Sequence, residues 1–117
     1  MQTNKPSNLI VELSFKFALE IIKYAELLEE KHKYVIARQI LKSGTSIGAN
    51  VREAQNGESK ADFIHKMKIA AKEADETEYW LLLCKASVGY PECDSLLLQC
   101  TSIIKVLSKI IASSKSK

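Results

Sequence analysis

Two carboxylate–histidine pairs in this sequence have the spacing that helical di-metal sites use. They are Glu29 with His32 and Asp62 with His65, and inward-facing pairs of this kind hold two metal ions in some helical bundles. The helical wheel places Asp62 and His65 opposite the apolar side of their predicted helix, and His32 falls at a helix end or in a loop. Because a di-metal centre needs inward-facing ligands, we expect no metal site.

The sequence also offers few other catalytic signatures. It contains no glycine-rich phosphate loop, no HExxH motif and no CxxC pair. The three cysteines, Cys84, Cys93 and Cys100, are an odd number, which favours reduced thiols over a disulfide framework. We expect Cys84 and Cys100 in the core and Cys93 in a loop or first helical turn. The prediction is a protein without enzymatic activity and without a cofactor.

Positive charge is concentrated in one segment, which favours phosphate binding. Five basic residues and no Asp or Glu lie between positions 31 and 52, and the rest of the chain has an excess of two acidic residues. The five are Lys31, Lys33, Arg38, Lys42 and Arg52. On a helical wheel, Arg38, Lys42 and Arg52 fall within about 80° of one another. Such a stripe suits contacts to a nucleic-acid backbone, with the neighbouring Ser43, Thr45, Ser46 and Asn50 as neutral donors.

The basic segment also has a purely structural interpretation. Four acidic residues, Glu73, Asp75, Glu76 and Glu78, lie close together further along the chain. Ion pairs with them, within one chain or between subunits, would consume part of the basic stripe. No aromatic residue is interleaved with the three stripe cations, so the sequence does not predict base stacking on this face.

Length and composition limit the fold to one domain. The chain has 117 residues, of which 46% are hydrophobic and 26% charged, with a net charge of +3 and only four Gly and two Pro. Turn-forming residues are too scarce for an all-β fold. No uninterrupted apolar run approaches the roughly 18 residues of a membrane span, and the N-terminus lacks the apolar core of a signal peptide. We expect a cytoplasmic protein with no membrane partner.

Apolar periodicity predicts an all-α fold, an antiparallel up-and-down four-helix bundle spanning residues 1–117. Ser7 is the expected cap of the first helix, and Ser59 with Asp62 resembles a capping box at the third. Gly89 and Pro91 are expected to end the third helix. Gly44 and Gly48, four residues apart, predict a face on which another helix approaches closely. The predicted helices are 8–30, 34–56, 60–87 and 92–112, followed by a polar tail, 113–117.

The apolar surface exceeds what one small bundle buries, which predicts an interface between subunits. Apolar residues cover more than half of the first helix, including Phe15 and Leu19, and Trp80 and Ile69 form a second strip on the third. The alternative is that Trp80 packs at an edge of the bundle. Glu78 falls within an apolar stripe, so we expect it to be partly buried and to bond Arg38, Arg52 or hydroxyls of the second helix.

Two blocks of this sequence resemble the four-helix proteins encoded in intervening sequences of bacterial 23S ribosomal RNA genes, also called S23-type ribosomal proteins. The first block is Ser46–Glu53, and the second comprises Ser59, Asp62–Ile64, Ile69–Ala70 and Glu78. The resemblance covers about residues 8–112. The sequence departs from the commonest pattern at Ala54 and at Glu73–Ala74.

The resemblance implies a homo-oligomer, a ring of five copies. It also implies similarity to the accessory variability proteins of diversity-generating retroelements, which engage a reverse transcriptase and nucleic acid. Asn50 and Glu53 match the family's polar pair on the second helix, and we expect Glu53, like Glu78, to be a buried polar residue that fixes helix register. The predicted function is binding of structured, ribosomal RNA without catalysis. The alternative is a protein-interaction scaffold, such as an accessory subunit of a nucleic-acid enzyme, with no direct RNA contact.

Overall fold

The structure, a computed structural model, describes residues 6–115 and consists of four α-helices. They are α1 (Pro6–Glu30), α2 (Tyr34–Gln55), α3 (Lys60–Ala86) and α4 (Asp94–Lys115). Residues 6–115 contain no β-strand. The all-α class and the four helices are therefore confirmed.

The first and last helices differ from their predicted bounds. Helix α1 begins at Pro6, so Ser7 lies inside it, and the predicted Ser7 cap concerns a side chain outside the described ones. Helix α4 begins at Asp94, two residues later than predicted, and Glu92 accepts a hydrogen bond from the Asp94 amide at 3.1 Å. It continues to Lys115, because no Gly or Pro follows Ala112. The predicted polar tail is thus wrong for residues 113–115, and residues 116–117 lie outside the described part.

The ends of α3 follow the sequence signals. The Ser59 hydroxyl accepts a hydrogen bond from the Asp62 amide at 3.1 Å, which confirms the predicted cap. After the helix, Gly89 adopts a left-handed backbone with φ of 85°. The turn from α1 to α2 uses His32 in the same way, with φ of 63°. The Lys33 amide donates to Leu28 O at 2.9 Å, which closes the end of α1 in a Schellman-type arrangement.

The helices contact one another in a closed cycle: α1 with α2, α2 with α3, α3 with α4, and α4 with α1. A single core lies between them, with Phe17, Ile47, Leu81 and Leu107 among its fully buried side chains. Each helix buries the stripe that its 3.6-residue periodicity predicts, and exposes its charged side. This arrangement fixes which side chains of α2 face solvent.

Two glycines bring α2 close to α1, as predicted. A Cβ atom at Gly44 would lie 2.8 Å from Ile21 Cγ2, and one at Gly48 would lie 3.4 Å from the Ser14 carbonyl oxygen. Real Cβ atoms do not approach other atoms as closely as 2.8 Å, so Gly44 is required by the packing. Gly48 has room for a methyl group.

A buried pair of hydroxyls joins α2 to α3. The Ser43 and Thr77 hydroxyl oxygens lie 2.8 Å apart, and the Thr77 hydroxyl is also 2.7 Å from the Glu73 carbonyl oxygen. Both residues are at least 99% buried. The pair satisfies polar groups that would otherwise destabilise the core.

We expect Thr77→Val to lower the free energy of unfolding by about 1–3 kcal/mol, because the buried Ser43 hydroxyl loses its partner across the interface. The double variant Ser43→Ala/Thr77→Val removes both hydroxyls and should recover most of that loss. Urea unfolding followed by circular dichroism measures these two variants and the single variant Ser43→Ala. Additive losses in the double variant would show that the two hydroxyls do not interact.

Helix α4 meets the length and composition criteria of a membrane-spanning helix. Core helices of other proteins meet the same criteria, and α4 places Leu96, Cys100, Ile103, Leu107 and Ile110 in the core. Its outer side carries Lys105 and Lys109, both exposed. Length and composition therefore do not assign α4 to a membrane.

Candidate nucleic-acid interface

Three exposed cations form one row along the outer side of α2, and we call Arg38, Lys42 and Arg52 the basic stripe. The opposite side of the helix is buried, including Ile40, Ile47 and Val51. Because α2 rises 1.5 Å per residue, the stripe extends over about 21 Å. Its residues come together on one face as predicted.

The basic stripe has no ion-pair partner in the described part of the chain. Four lysines, Lys16, Lys23, Lys66 and Lys85, have a carboxylate oxygen within 4.0 Å, and none of the stripe cations does. Pairing with the acidic residues of α3 was the alternative prediction, and no ion pair of that kind forms within the described residues. The charge of Lys42 acts on Glu73 of α3. Burial and the like charge of Glu76 raise the pKa of Glu73, and the positive charges of Lys42 and Lys72 partly oppose this rise.

The neutral side chains near the stripe bond their own helix. Thr45 Oγ1 donates to Leu41 O at 2.7 Å, Ser46 Oγ donates to Lys42 O at 2.6 Å, and Asn50 Nδ2 donates to Ser46 O at 2.9 Å. Ser43 is buried against Thr77 and does not reach the surface. The prediction that these groups serve as donors to a ligand is wrong for Ser43. Thr45, Ser46 and Asn50 each already donate a hydrogen bond to a backbone carbonyl of α2, so positive charge is the main feature that the stripe presents to solvent.

Lys31 and Lys33 lie in the turn that precedes α2. Lys31 is exposed, whereas Lys33 is half-buried with Nζ 4.8 Å from the centroid of the Tyr90 ring. This cation–π contact directs Lys33 towards the connection between α3 and α4. The positive charge of the segment is thus divided between the stripe and the turn.

The sequence around the stripe also contains a pattern that the sequence reasoning missed. Gly44–Gly48 reads GTSIG, which has the GxSxG spacing of serine hydrolases. That motif places its serine on a sharp turn between a strand and a helix. Here the segment lies inside α2, and the Ser46 hydroxyl bonds the Lys42 carbonyl at 2.6 Å. The geometry is that of an ordinary helix.

An apolar groove runs beside the stripe between α1 and α2. Arg52, Gly48 and Ala49 form one wall, Val11 and Phe15 form the other, and its volume is about 160 Å³. Phe15 is 60% exposed. Further along α1, Leu19 and Ile22 are exposed beside a wider groove against α4. Of the two predicted interface residues of α1, Phe15 therefore presents apolar surface next to the basic stripe, whereas Leu19 does so beside the groove against α4.

The predicted interface residues of α3 are less accessible. Ile69 and Trp80 are half-buried, and the Trp80 ring packs against the core. Trp80 Nε1 donates to Glu76 Oε2 at 3.2 Å, and Tyr79 lies beside the ring. This environment is the one that packing at a bundle edge would produce.

The two predicted buried carboxylates behave differently from each other. The prediction for Glu53 is wrong, because its side chain is 60% exposed and pairs with Lys66 Nζ at 2.7 Å. Position 53 lies at the outer edge of the contact between α2 and α3, where a charge remains in water. Glu78 is half-buried as expected, but its hydroxyl partner is Thr101 of α4, at 3.4 Å, because this side of α3 packs on α4.

The remaining candidates for chemistry are metal-ligating side chains and the three cysteines, of which Cys84 and Cys93 both lie beside the Tyr24 hydroxyl. No three His, Cys, Asp or Glu side chains among residues 8–115 are placed to hold a metal ion. The three cysteines are buried, including Cys93, whose thiol donates to Leu81 O at 3.4 Å. Burial raises the pKa of Cys100 to about 12, and the charges of Glu78 and Asp75 add to this effect. The buried Cys100 thiol is therefore protonated at neutral pH.

Comparison with known proteins identifies a family and solved structures of high similarity. The profile of the 23S rRNA-intervening sequence protein family matches residues 7–109. A crystal structure from Bacteroides thetaiotaomicron, described as a protein of unknown function from the S23 ribosomal protein family, is 43% identical. The match covers 92% of this chain and 99% of that one, with a TM-score of 0.86. The comparison with curated proteins gives no match. With nearly the whole chain matched, this protein belongs to the 23S rRNA-intervening sequence protein family.

Proposed function

We propose that this protein binds structured RNA through the basic stripe of α2 and carries out no catalytic step. The observation that supports this most directly is the set of three exposed cations, spread over about 21 Å, without a carboxylate oxygen within 4.0 Å in the described residues. An unpaired cation gains more from a phosphate than one already in an ion pair. The family's name refers to intervening sequences of 23S rRNA, which makes ribosomal RNA the class of partner to test first.

The proposal includes an antiparallel bundle that assembles into a ring of identical subunits, with five copies as the number implied by the family resemblance. Contacts between Ser43 and Thr77 and between Glu53 and Lys66 support the antiparallel direction, since later residues of α2 meet earlier residues of α3. Exposed Phe15 and Leu19 on α1 supply apolar surface for contacts between copies. A ring would repeat the stripe, so that several weak phosphate contacts act together.

The test is the triple variant Arg38→Gln/Lys42→Gln/Arg52→Gln. We expect its affinity for a fluorescently labelled RNA hairpin to fall about tenfold or more, because each phosphate contact contributes through counterion release. Fluorescence anisotropy at fixed KCl concentration measures the dissociation constant. Light scattering checks that the oligomer is intact.

A matched control removes the same number of charges elsewhere. Lys16→Gln/Lys23→Gln/Lys85→Gln replaces three lysines that already pair with carboxylates. This control should bind RNA within about threefold of the wild type, because those cations are already partly neutralised. Equal loss in the two triple variants would contradict the assignment to the stripe, and unchanged binding by the stripe variant would overturn it.

A second function is favoured by the exposed apolar residues of α1. Phe15, Leu19 and Ile22 are all more than a third exposed and lie on one side of the helix. Such a surface also suits a protein-interaction scaffold that serves a nucleic-acid enzyme without touching RNA itself. Partner binding that is insensitive to salt, together with no affinity for the RNA hairpin, would favour the scaffold.

A further inference from the structure

A second region of positive charge lies where the first half of α3 meets the last half of α4. Residues 63–72 contain three lysines and residues 95–115 contain another three, and neither segment has an acidic residue. The two helices contact each other. This region is not evident from the charge along the sequence, because residues 73–94 separate the two segments and contain six acidic residues and one lysine.

Lys68 and Lys115 are direct neighbours across this contact between the two helices. The hydrogen-bonding contact with Lys115 and its like charge lower the pKa of Lys68. Among the residues that the structure describes, neither lysine has a carboxylate oxygen within 4.0 Å, whereas Lys66 pairs with Glu53 and Lys85 with Asp94. Two adjacent ammonium groups repel each other, and an oxyanion bridging them would replace that repulsion with two charge-assisted hydrogen bonds.

Lys72 connects this pair to the basic stripe. It is exposed one turn from Lys68 on α3, and its charge and that of Lys42 both act on Glu73. Lys42 on α2 and Lys72 on α3 therefore flank the Glu73 carboxylate, and the cations continue from Lys72 through Lys68 to Lys115 on α4. With neighbouring helices about 8–10 Å apart, such a path is about 20 Å long across the helices.

We infer that Lys68, Lys72 and Lys115 form a second phosphate-binding surface that continues the basic stripe across α3 to α4. An RNA backbone bound to the stripe then crosses the helices along this path, and does not follow α2 alone. This inference rests on the proposed RNA-binding function and specifies where the rest of the RNA lies.

The test is the double variant Lys68→Gln/Lys115→Gln, with Lys16→Gln/Lys23→Gln as the control for charge. Both pairs lie on the surface, and the control lysines already have carboxylate partners. We expect the Lys68/Lys115 variant to bind the labelled RNA hairpin about fivefold to tenfold more weakly, with a salt slope lower by about two, and the control to match the wild type.

A second measurement uses the wild-type protein alone. Acylation of lysines with an amine-reactive acetyl ester, read by mass spectrometry, should show protection of Lys68, Lys72 and Lys115 by the RNA hairpin. Equal protection by millimolar inorganic phosphate would identify a site for free phosphate and overturn the RNA path.

The outcomes separate this inference from the proposed function. Three results together would overturn only the path across α3 and α4. The stripe variant would lose RNA binding, the Lys68/Lys115 variant would bind RNA as the wild type does, and RNA would not protect Lys68 and Lys115 from acylation. Absence of RNA binding by the wild-type protein would overturn both.

Discussion

Replacing Leu107 by Ala is expected to lower the free energy of unfolding by about 3–5 kcal/mol, out of a total of about 5–15 kcal/mol for a domain of this kind. Leu107 is fully buried on α4 and belongs to the core shared by the four helices. Its truncation removes apolar contacts and leaves a cavity that close-packed neighbours fill only in part. Urea unfolding at one fixed protein concentration measures the change, since the stability of the proposed oligomer would depend on concentration.

Leu98→Ala is the matched control for this experiment, because it makes the same chemical change on the same helix. Leu98 is 72% exposed, so its truncation should change the free energy of unfolding by less than about 0.5 kcal/mol. Similar losses of stability in the two variants would contradict the assignment of Leu107 to the buried side of α4 and of Leu98 to its exposed side.

The second large effect is expected at Gly44, where Gly44→Val should cost about 2–3 kcal/mol of stability. A Cβ atom there lies 2.8 Å from Ile21 Cγ2 and 2.9 Å from Ile21 Cγ1, and the Ile21 side chain is fully buried. The helices must separate or Ile21 must leave its rotamer, and both distort a close-packed core. The better helix propensity of valine than glycine offsets only a few tenths of a kcal/mol. Thermal and urea unfolding both report the loss.

Gly48→Ala tests the same contact between α1 and α2, but here the substitution is not expected to lower the stability. The nearest atoms to its added methyl group are those of Ser14, at 3.4 Å, which is ordinary contact. We expect Gly48→Ala to be neutral or to stabilise by up to about 1 kcal/mol through helix propensity. Strong destabilisation by Gly48→Ala would show that α1 and α2 approach more closely at Ser14 than the structure places them.

Helical periodicity was enough to predict most of this fold. The four apolar stripes, the Ser59 cap and the close approach at Gly44 are local consequences of residue type and spacing, so a single sequence reveals them. The end of α4 was missed because Ser113, Ser114 and Lys115 neither favour nor forbid a helix. Their state depends on the packing of the preceding turns.

Polar groups between helices were harder to predict, because the partner of each depends on how the helices are rotated. Glu53 matches a family position but lies at the outer edge, where Lys66 reaches it. The buried pair of Ser43 and Thr77 went unnoticed, although Thr77 stands in the row formed by Ala74, Leu81 and Cys84. A polar residue inside an apolar row was the available signal, and it pointed to Glu78 first because a carboxylate is more conspicuous than a hydroxyl.

The charge distribution shows a similar limit. The basic stripe was predictable because its members belong to one helix and fall within about 80° of one another on its wheel. The neighbouring lysines of α3 and α4 were not, because Lys68 and Lys115 are 47 positions apart in the sequence and meet only through the contact between their helices. Summing charge over the rest of the chain averaged these lysines with the acidic segment that separates them.

The most direct test of the RNA-binding role is the dissociation constant for one RNA hairpin, measured for the wild-type protein and the stripe variant over a range of KCl concentrations. For the wild type, the logarithm of the association constant should fall linearly with the logarithm of the salt concentration, with a slope of about −2 to −3 or steeper for three phosphate contacts. The stripe variant should show a slope lower in magnitude by about that amount. No measurable binding by the wild type, or the same slope in both proteins, would contradict the role of Arg38, Lys42 and Arg52.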